Sequence, residues 1–84
     1  MTRLVTYSRQ ALRTLHRLDR RTSERIVLKM EQLASDPASL ANNVAAMKGR
    51  DGYMRLRVGD WRVIYRDGVV IDVVRIAPRG SAYD

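Results

Sequence analysis

The chain has 84 residues and a formal net charge of +7, with 16 basic and 9 acidic side chains. This length suits one domain with a thin core, and the ordinary apolar content argues against disorder throughout. The sequence contains no cysteine and 1 histidine, His16. Disulfide frameworks, Cys-based metal sites and Ser–His or Cys–His nucleophiles therefore have no support, and no metal or cofactor is expected.

Arginine supplies 14 of the 16 basic residues. Its planar fork binds phosphate or carboxylate through two hydrogen bonds, and it also stacks on nucleic-acid bases. A GC-rich genome explains the bias toward arginine equally well. The net charge is +4 in residues 1–47 and +3 in residues 48–84, which indicates a folded cationic surface facing an anionic partner instead of a basic tail.

The N-terminal segment MTRLVTYSRQALRTL mixes charged and apolar residues. It contains no apolar run long enough for a signal peptide or a membrane-spanning helix. We therefore expect a cytoplasmic protein with no membrane partner.

Residues 2–7 predict a short strand, and Ser8 is a suitable N-cap for a helix over residues 9–18. Within that helix, Leu12, Leu15 and Leu18 recur at helical spacing. This spacing predicts that the three leucines form the face that packs on the core.

Asp19 is a suitable N-cap for a second helix that ends near Ser35. Its core-facing stripe is predicted to consist of Ile26, Val27, Met30, Leu33 and Ala34. The dipeptide Asp36-Pro37 ends this helix, because a proline disfavours helical geometry in the residue before it. Residues 38–46 fit a turn or a short helical piece, and periodicity does not decide between them.

Three strands are predicted next, over residues 52–58, 61–66 and 69–77. Gly59-Asp60 indicates a turn, Asp67-Gly68 indicates a two-residue hairpin, and Pro78 ends the last strand. The whole chain, residues 1–84, is thus predicted to form one α+β domain. Its elements are an N-terminal strand, a two-helix hairpin and a three-stranded antiparallel meander, with the helices packed on one face of the sheet.

Strand alternation places Tyr53, Arg55 and Arg57 on one face of their strand and apolar residues on the other. RNA can be cut without a metal, because the neighbouring 2′-hydroxyl supplies the nucleophile. Clustered guanidiniums would stabilise the charge of the transition state, and a tyrosine among arginines could act as a base. A solvated strand face explains Arg55 and Arg57 alone equally well. Trp61 and Tyr65 are expected to pack in the sheet rather than stack on bases.

Two segments carry a family resemblance: GYMRLRVGDWRVIY at residues 52–65, and RIAPRGSAY at residues 75–83. Together with the lead-in MKGRDGY at residues 47–53 and the preceding helical pair, they resemble the RelE/ParE superfamily of bacterial type II toxin–antitoxin systems. The resemblance covers essentially the whole chain.

A RelE-like member would be a ribosome-dependent, metal-independent endoribonuclease that cuts mRNA in the A site and so inhibits translation. The resemblance implies that Arg62 contacts the scissile phosphate, that Arg79 stabilises the transition state and that Tyr83 lies near the reacting hydroxyl. It also places Arg55 in the catalytic site. The implied contacts to the RNA backbone are Arg57, Lys48 and Arg50.

Many relatives carry a histidine just before the last arginine, where this chain has Pro78, so a general acid of that kind is missing. The implied partners are a cognate antitoxin, the ribosome and mRNA, with operator DNA reached only through the antitoxin. The alternative is a ParE-like toxin that inhibits DNA gyrase without catalysis. A third interpretation, a nucleic-acid-binding module without catalysis, leaves Arg79 and Tyr83 unexplained.

Overall fold

The structure, a computed structural model, describes residues 2–81. In chain order the elements are β1 (Val5–Tyr7), α1 (Arg9–Arg17), α2 (Arg20–Ser35), a 3₁₀ helix (Pro37–Asn43), β2 (Val44–Ala46), β3 (Tyr53–Val58), β4 (Trp61–Asp67) and β5 (Ile71–Pro78). The predicted α+β class is confirmed. No helix within residues 2–81 is long and apolar enough to cross a membrane.

The strands form one five-stranded sheet in the order β1-β5-β4-β3-β2. The chain from β2 to β5 is an antiparallel meander, and β1 pairs in parallel with β5 at the far edge. The short strand β2 lies in the segment that periodicity left open, so the meander has one strand more than predicted. Its three residues are too few to show an alternating pattern.

Both helices begin at the predicted caps. The Ser8 hydroxyl accepts a hydrogen bond from the Ala11 amide at 3.1 Å and donates one to the Val74 carbonyl at 2.8 Å. It therefore caps α1 and fastens it to β5. Asp19 accepts from the Thr22 amide at 3.1 Å and caps α2 in the same way.

The predicted leucine stripe of α1 is partly wrong. Ala11 and Thr14 are the buried residues of this helix, whereas Leu12 is 44% exposed. The Thr14 hydroxyl is satisfied inside the helix, because it donates to the Gln10 carbonyl at 3.2 Å. The small side chain of Ala11 and the internally hydrogen-bonded hydroxyl of Thr14 thus allow α1 to pack against β5.

The main core lies between the helices and one face of the sheet. The α2 stripe is buried as predicted except for Val27, which is half-buried. Tyr65 is buried in this core and Trp61 packs against its edge, which confirms that both aromatic residues serve sheet packing. The opposite face of the sheet carries only a small apolar cluster centred on Ile64 and Ala77 among the described residues.

The two hairpin turns differ. Gly59 and Asp60 alone connect β3 to β4, because Val58 pairs with Trp61, and Gly59 has a φ of +59° that favours glycine. The loop from β4 to β5 has three residues, 68–70, since Asp67 pairs with Ile71. The predicted two-residue hairpin at Asp67-Gly68 is therefore wrong.

Candidate functional site

Besides Arg66, which pairs with Tyr53, four arginines lie on the face of the sheet that the helices leave uncovered. The register of β3 and β4 sets Arg57 directly opposite Arg62, and Arg55 opposite Ile64. Ile64 pairs in turn with Arg75 of β5. Because cross-strand partners project to the same side of a sheet, Arg55, Arg57, Arg62 and Arg75 all share this face.

Three of these arginines line one surface cavity of about 240 Å³, which we call the arginine cavity. Arg55 and Arg57 come from β3 and Arg62 from β4. Its other wall is formed by Asn42 and Asn43 at the end of the 3₁₀ helix and by residues 44–45 of β2. The cavity thus combines guanidinium groups with side-chain amides, and both can bind phosphate or sugar oxygens.

The Arg62 side chain is held by its own hairpin. Its Nη1 atom donates to the Gly59 carbonyl at 2.9 Å and to the Trp61 carbonyl at 3.0 Å. No ion pair neutralises Arg57 or Arg62 within residues 2–81, where the recorded pairs are Arg3–Asp67 and Arg20–Glu24. Arg62 is therefore a positioned cation that remains available to an anionic ligand.

Arg79 is brought to the same end of the sheet by a backbone contact. Its amide donates to the Asp60 carbonyl in the turn between β3 and β4 at 2.8 Å, and its side chain is exposed. Since Asp60 lies two residues before Arg62, the chain leaving β5 passes beside the arginine cavity. Tyr83, the remaining predicted catalytic residue, lies outside the described residues.

Lys48 and Arg50 lie in the loop between β2 and β3, at the opposite end of β3 from Arg57. Lys48 lines a second cavity of about 330 Å³ with Ala46, Met47 and Arg55. Arg50 is held in a turn, where its carbonyl accepts from the Tyr53 amide at 3.1 Å. The structure thus joins Lys48 to the arginine cavity through Arg55, while Arg50 lines neither cavity.

Other polar residues of this surface escaped the sequence analysis. Asn42 and Asn43 lie in the segment where periodicity did not decide between a turn and a short helical piece, and in the structure they end the 3₁₀ helix. Arg75 follows Asp72 by three residues, and the sequence favours an ion pair of Arg75 with Asp72 or with another neighbour. The carboxylate of Asp72 instead accepts from the Thr6 hydroxyl at 3.0 Å, and no ion pair joins it to Arg75.

The clear shifts in tyrosine pKa lie away from this site. Burial raises the pKa of Tyr65 to about 12, and burial also raises the pKa of Tyr7. No group of three or more His, Cys, Asp or Glu side chains among the described residues could hold a metal ion. The chemistry open to the described part of the site is therefore that of arginines and amides.

The family model described as "ParE toxin of type II toxin-antitoxin system, parDE" matches residues 5–83. The chain belongs to this ParE toxin family. It is accordingly a toxin of the RelE/ParE superfamily, as the motifs predicted. A comparison with curated proteins found no match.

Several solved structures similar to this ParE-family toxin are RelE proteins. The archaeal RelE–RelB complex from Pyrococcus horikoshii OT3 has a TM-score of 0.80 and 28% identity, covering 96% of this chain and 99% of that one. The RelB–RelE complex from Methanococcus jannaschii has a TM-score of 0.74 and 24% identity, covering 94% and 95%. A double arginine-to-alanine mutant of E. coli RelE in the free state has a TM-score of 0.76 and 17% identity, covering 98% and 87%. The last two likenesses bear on the fold alone.

Proposed function

We propose that this ParE-family toxin is a metal-independent, ribosome-dependent endoribonuclease that cuts mRNA in the ribosomal A site and thereby inhibits translation. The observation that carries the proposal is the arginine cavity. Two strands deliver three guanidiniums to one cavity, and Arg62 is fixed there by two carbonyls of its own hairpin. Preorganised cations of this kind stabilise the charge that develops on a phosphate during transfer.

The proposed reaction is a transesterification within the RNA. The 2′-oxygen attacks the adjacent phosphorus and forms the new P–O2′ bond, while the P–O5′ bond breaks. The products are a 2′,3′-cyclic phosphate and a free 5′-hydroxyl. The proton of the 2′-hydroxyl leaves to a base, and a proton is delivered to the departing 5′-oxygen, so no oxidant, metal or water is consumed.

We assign each of these residues a role in the proposed reaction. Arg62 binds the scissile phosphate, and Arg55 and Arg57 flank it from the neighbouring strand. Arg79, held beside the turn by its bond to Asp60, adds positive charge as the transition state forms. Tyr83 is proposed as the base near the 2′-hydroxyl. Lys48 and Arg50 contact the RNA backbone further along, Lys48 from the cavity that Arg55 also lines.

Gyrase inhibition is the second candidate function. The observation that favours it is the family match itself, since the model matching residues 5–83 is that of the ParE toxin. In that case the cationic face binds its target without catalysis, and the geometry of the cavity is not required. Position 78 weakens the nuclease relative to this alternative, because Pro78 offers no proton for the leaving oxygen.

The proposed protein partner is a cognate antitoxin. The similar RelE protein from Pyrococcus horikoshii OT3 was solved in complex with RelB. A groove between α2 and β1, lined by Leu4, Val5, Tyr7 and Val27, gives an antitoxin segment an apolar surface. Leu4 is 66% exposed there, and Leu28 beside the groove is 63% exposed. Operator DNA would be contacted through this antitoxin, and the complex would act in the cytoplasm.

The experiment that separates the two functions is translation of a defined mRNA with purified components. The wild-type toxin is expected to give codon-phased cuts that require ribosomes, mapped by primer extension. Arg62→Ala and Arg79→Ala should abolish these cuts, whereas Arg13→Ala, the same loss of charge on exposed α1, should not. Intact mRNA together with blocked supercoiling by purified gyrase would reject the nuclease and support the alternative.

A further inference from the structure

Arg25 of α2 lies against the turn between β3 and β4. A Cβ placed on Gly59 would come within 3.2 Å of the Arg25 Nη1 atom and 3.4 Å of its Nη2 atom. The guanidinium thus occupies the space that a side chain at position 59 would take. No sequence motif points to this contact, because the two residues are 34 positions apart and Arg25 belongs to a helix.

Two arginines therefore meet the same glycine. Arg62 donates to the Gly59 carbonyl at 2.9 Å, and Arg25 packs over the Cα of Gly59. The next residue of the turn, Asp60, accepts from the Arg79 amide. Three elements, α2, β4 and the segment after β5, thus deliver arginines to one two-residue turn. Arg25 connects the arginine cavity to the helical layer.

Arg21 continues this line along α2. Residues four apart lie on the same side of a helix, so Arg21 is the neighbour of Arg25 one turn earlier. Both side chains are exposed, and neither forms an ion pair within the described chain. Arg20 is different, since its Nε atom pairs with the Glu24 carboxylate at 3.0 Å. Glu24 lines an apolar pocket with Val27 and Leu28 on another side of α2.

We infer that Arg21 and Arg25 extend the arginine cavity into a continuous track for the phosphate backbone of single-stranded RNA, crossing the turn at Gly59 and Asp60. The inference deepens the proposed function and rests on it for the identity of the polyanion. Single-strand binding uses a cationic groove that follows the backbone over several nucleotides. The cavity alone spans too few residues to hold more than the reacting phosphate and its neighbours.

Composition favours RNA over an acidic protein segment as the occupant. The track contains arginines, Asn42 and Asn43, and it lacks exposed large apolar residues among those described. Interfaces with nucleic acid are more polar and more positive than interfaces between proteins. Apolar anchors for a protein partner lie elsewhere, in the pockets beside α2, whose lining residues include Glu24 and Glu31.

The test measures binding of a fluorescein-labelled 2′-O-methyl RNA 12-mer, which cannot be cut because it has no free 2′-hydroxyl. Fluorescence anisotropy is recorded at several salt concentrations for wild type, Arg25→Ala, Arg21→Ala and Arg62→Ala. Arg20→Ala is the matched control, since it removes the same charge from the same helix. Circular dichroism and thermal unfolding confirm that each variant folds.

Arg25→Ala and Arg21→Ala are each expected to weaken binding roughly five- to tenfold and to reduce the slope of log K against log salt by about 0.7, the value for one lost contact to a single strand. Arg20→Ala should change neither quantity by as much as twofold. Asp60→Asn should strengthen binding, because it removes a negative charge from the turn. Ribosome-dependent cleavage is measured in parallel for every variant.

Unchanged binding by the Arg21 and Arg25 variants, with loss in Arg62→Ala, would overturn the track and leave the proposed nuclease standing. The expected losses combined with an absence of cleavage by wild type would support the track and reject the nuclease. A polyglutamate peptide could instead displace the labelled RNA at a lower concentration than unlabelled RNA does, and lose as much affinity as the RNA does in Arg25→Ala. That result would assign the surface to an acidic protein partner.

Discussion

Arg57 and Arg62 lie directly opposite each other on the antiparallel strands β3 and β4. Two like charges at such a position repel and destabilise the sheet. Within residues 2–81 no carboxylate pairs with either of them. A phosphate between the two guanidiniums would remove the repulsion, so the arrangement favours ligand binding at the expense of the free protein's stability.

Replacing Arg57 with threonine should stabilise the fold while weakening RNA binding. The expected gain is about 0.5 kcal/mol in the free energy of unfolding, because the cross-strand repulsion is lost and threonine suits a strand. Urea denaturation at low salt measures it. Arg66→Thr is the control, because Arg66 lies on the same face of the sheet, on β4. Its guanidinium carbon lies 5.7 Å from the centroid of the Tyr53 ring, which is an attractive contact. A loss of stability in Arg57→Thr would show that repulsion between Arg57 and Arg62 does not destabilise the folded protein.

Arg62→Lys should retain RNA binding but lose most of the cleavage. Lysine keeps the charge, yet its single nitrogen cannot donate to the Gly59 and Trp61 carbonyls, as Arg62 Nη1 does, and also offer two further nitrogens to a phosphate. We expect cleavage to fall by about 10²-fold, in the range seen for loss of one preorganised donor. Single-turnover cleavage on programmed ribosomes measures the rate. Wild-type rates in the lysine variant would mean that charge alone suffices at position 62.

Tyr83→Phe should slow cleavage while leaving RNA affinity nearly intact. A phenolate that accepts the 2′-hydroxyl proton contributes about 10²–10⁴-fold to the rate, and phenylalanine retains the ring but not this function. The measurement is the pH dependence of single-turnover cleavage in both proteins. An unchanged rate would remove Tyr83 from the chemistry and leave the arginines as the catalytic groups.

Gly59→Ala should cost stability and also weaken RNA binding. The φ of +59° costs an alanine about 1–2 kcal/mol, and its methyl group would displace the Arg25 guanidinium by a few tenths of an ångström. Gly52→Ala is the matched control, since Gly52 has a φ of +82° but nothing within 4 Å of the added Cβ. Both variants should lose similar stability in urea. RNA affinity should fall in Gly59→Ala alone. An equal fall in both variants would show that Arg25 does not contribute to RNA binding.

Stability should decline at alkaline pH through Tyr65. Burial, with a smaller contribution from the Asp67 charge, raises the pKa of Tyr65 from 10.0 to about 12. The folded state holds this proton more tightly than the unfolded state. The stabilisation is therefore complete below about pH 10 and is lost as pH rises toward 12. Urea denaturation from pH 8 to 12 should show a steeper decline in wild type than in Tyr65→Phe, and equal slopes would contradict the raised pKa.

Local chemistry allowed the helices and most strands to be predicted. Ser8 and Asp19 cap their helices with their own side chains, and the break at Pro37 is a property of the proline and the residue before it. Alternation also predicted which face of β3 carries Arg55 and Arg57. The failures occurred where the signal was short or depended on packing. The strand β2 has three residues, and α1 buries Ala11 and Thr14 while Leu12 stays 44% exposed.

Periodicity, caps and motifs depend on neighbouring residues, so they were enough to predict the α+β class, the family and the residue types available for chemistry. Which cations lie close together depends on the folded chain. Strand register places Arg57 opposite Arg62, and a backbone hydrogen bond holds Arg79 beside Asp60. The absence of a side chain at Gly59 leaves room for the Arg25 guanidinium. These contacts join residues far apart in the chain, and their geometry depends on pairing and packing rather than on any local pattern.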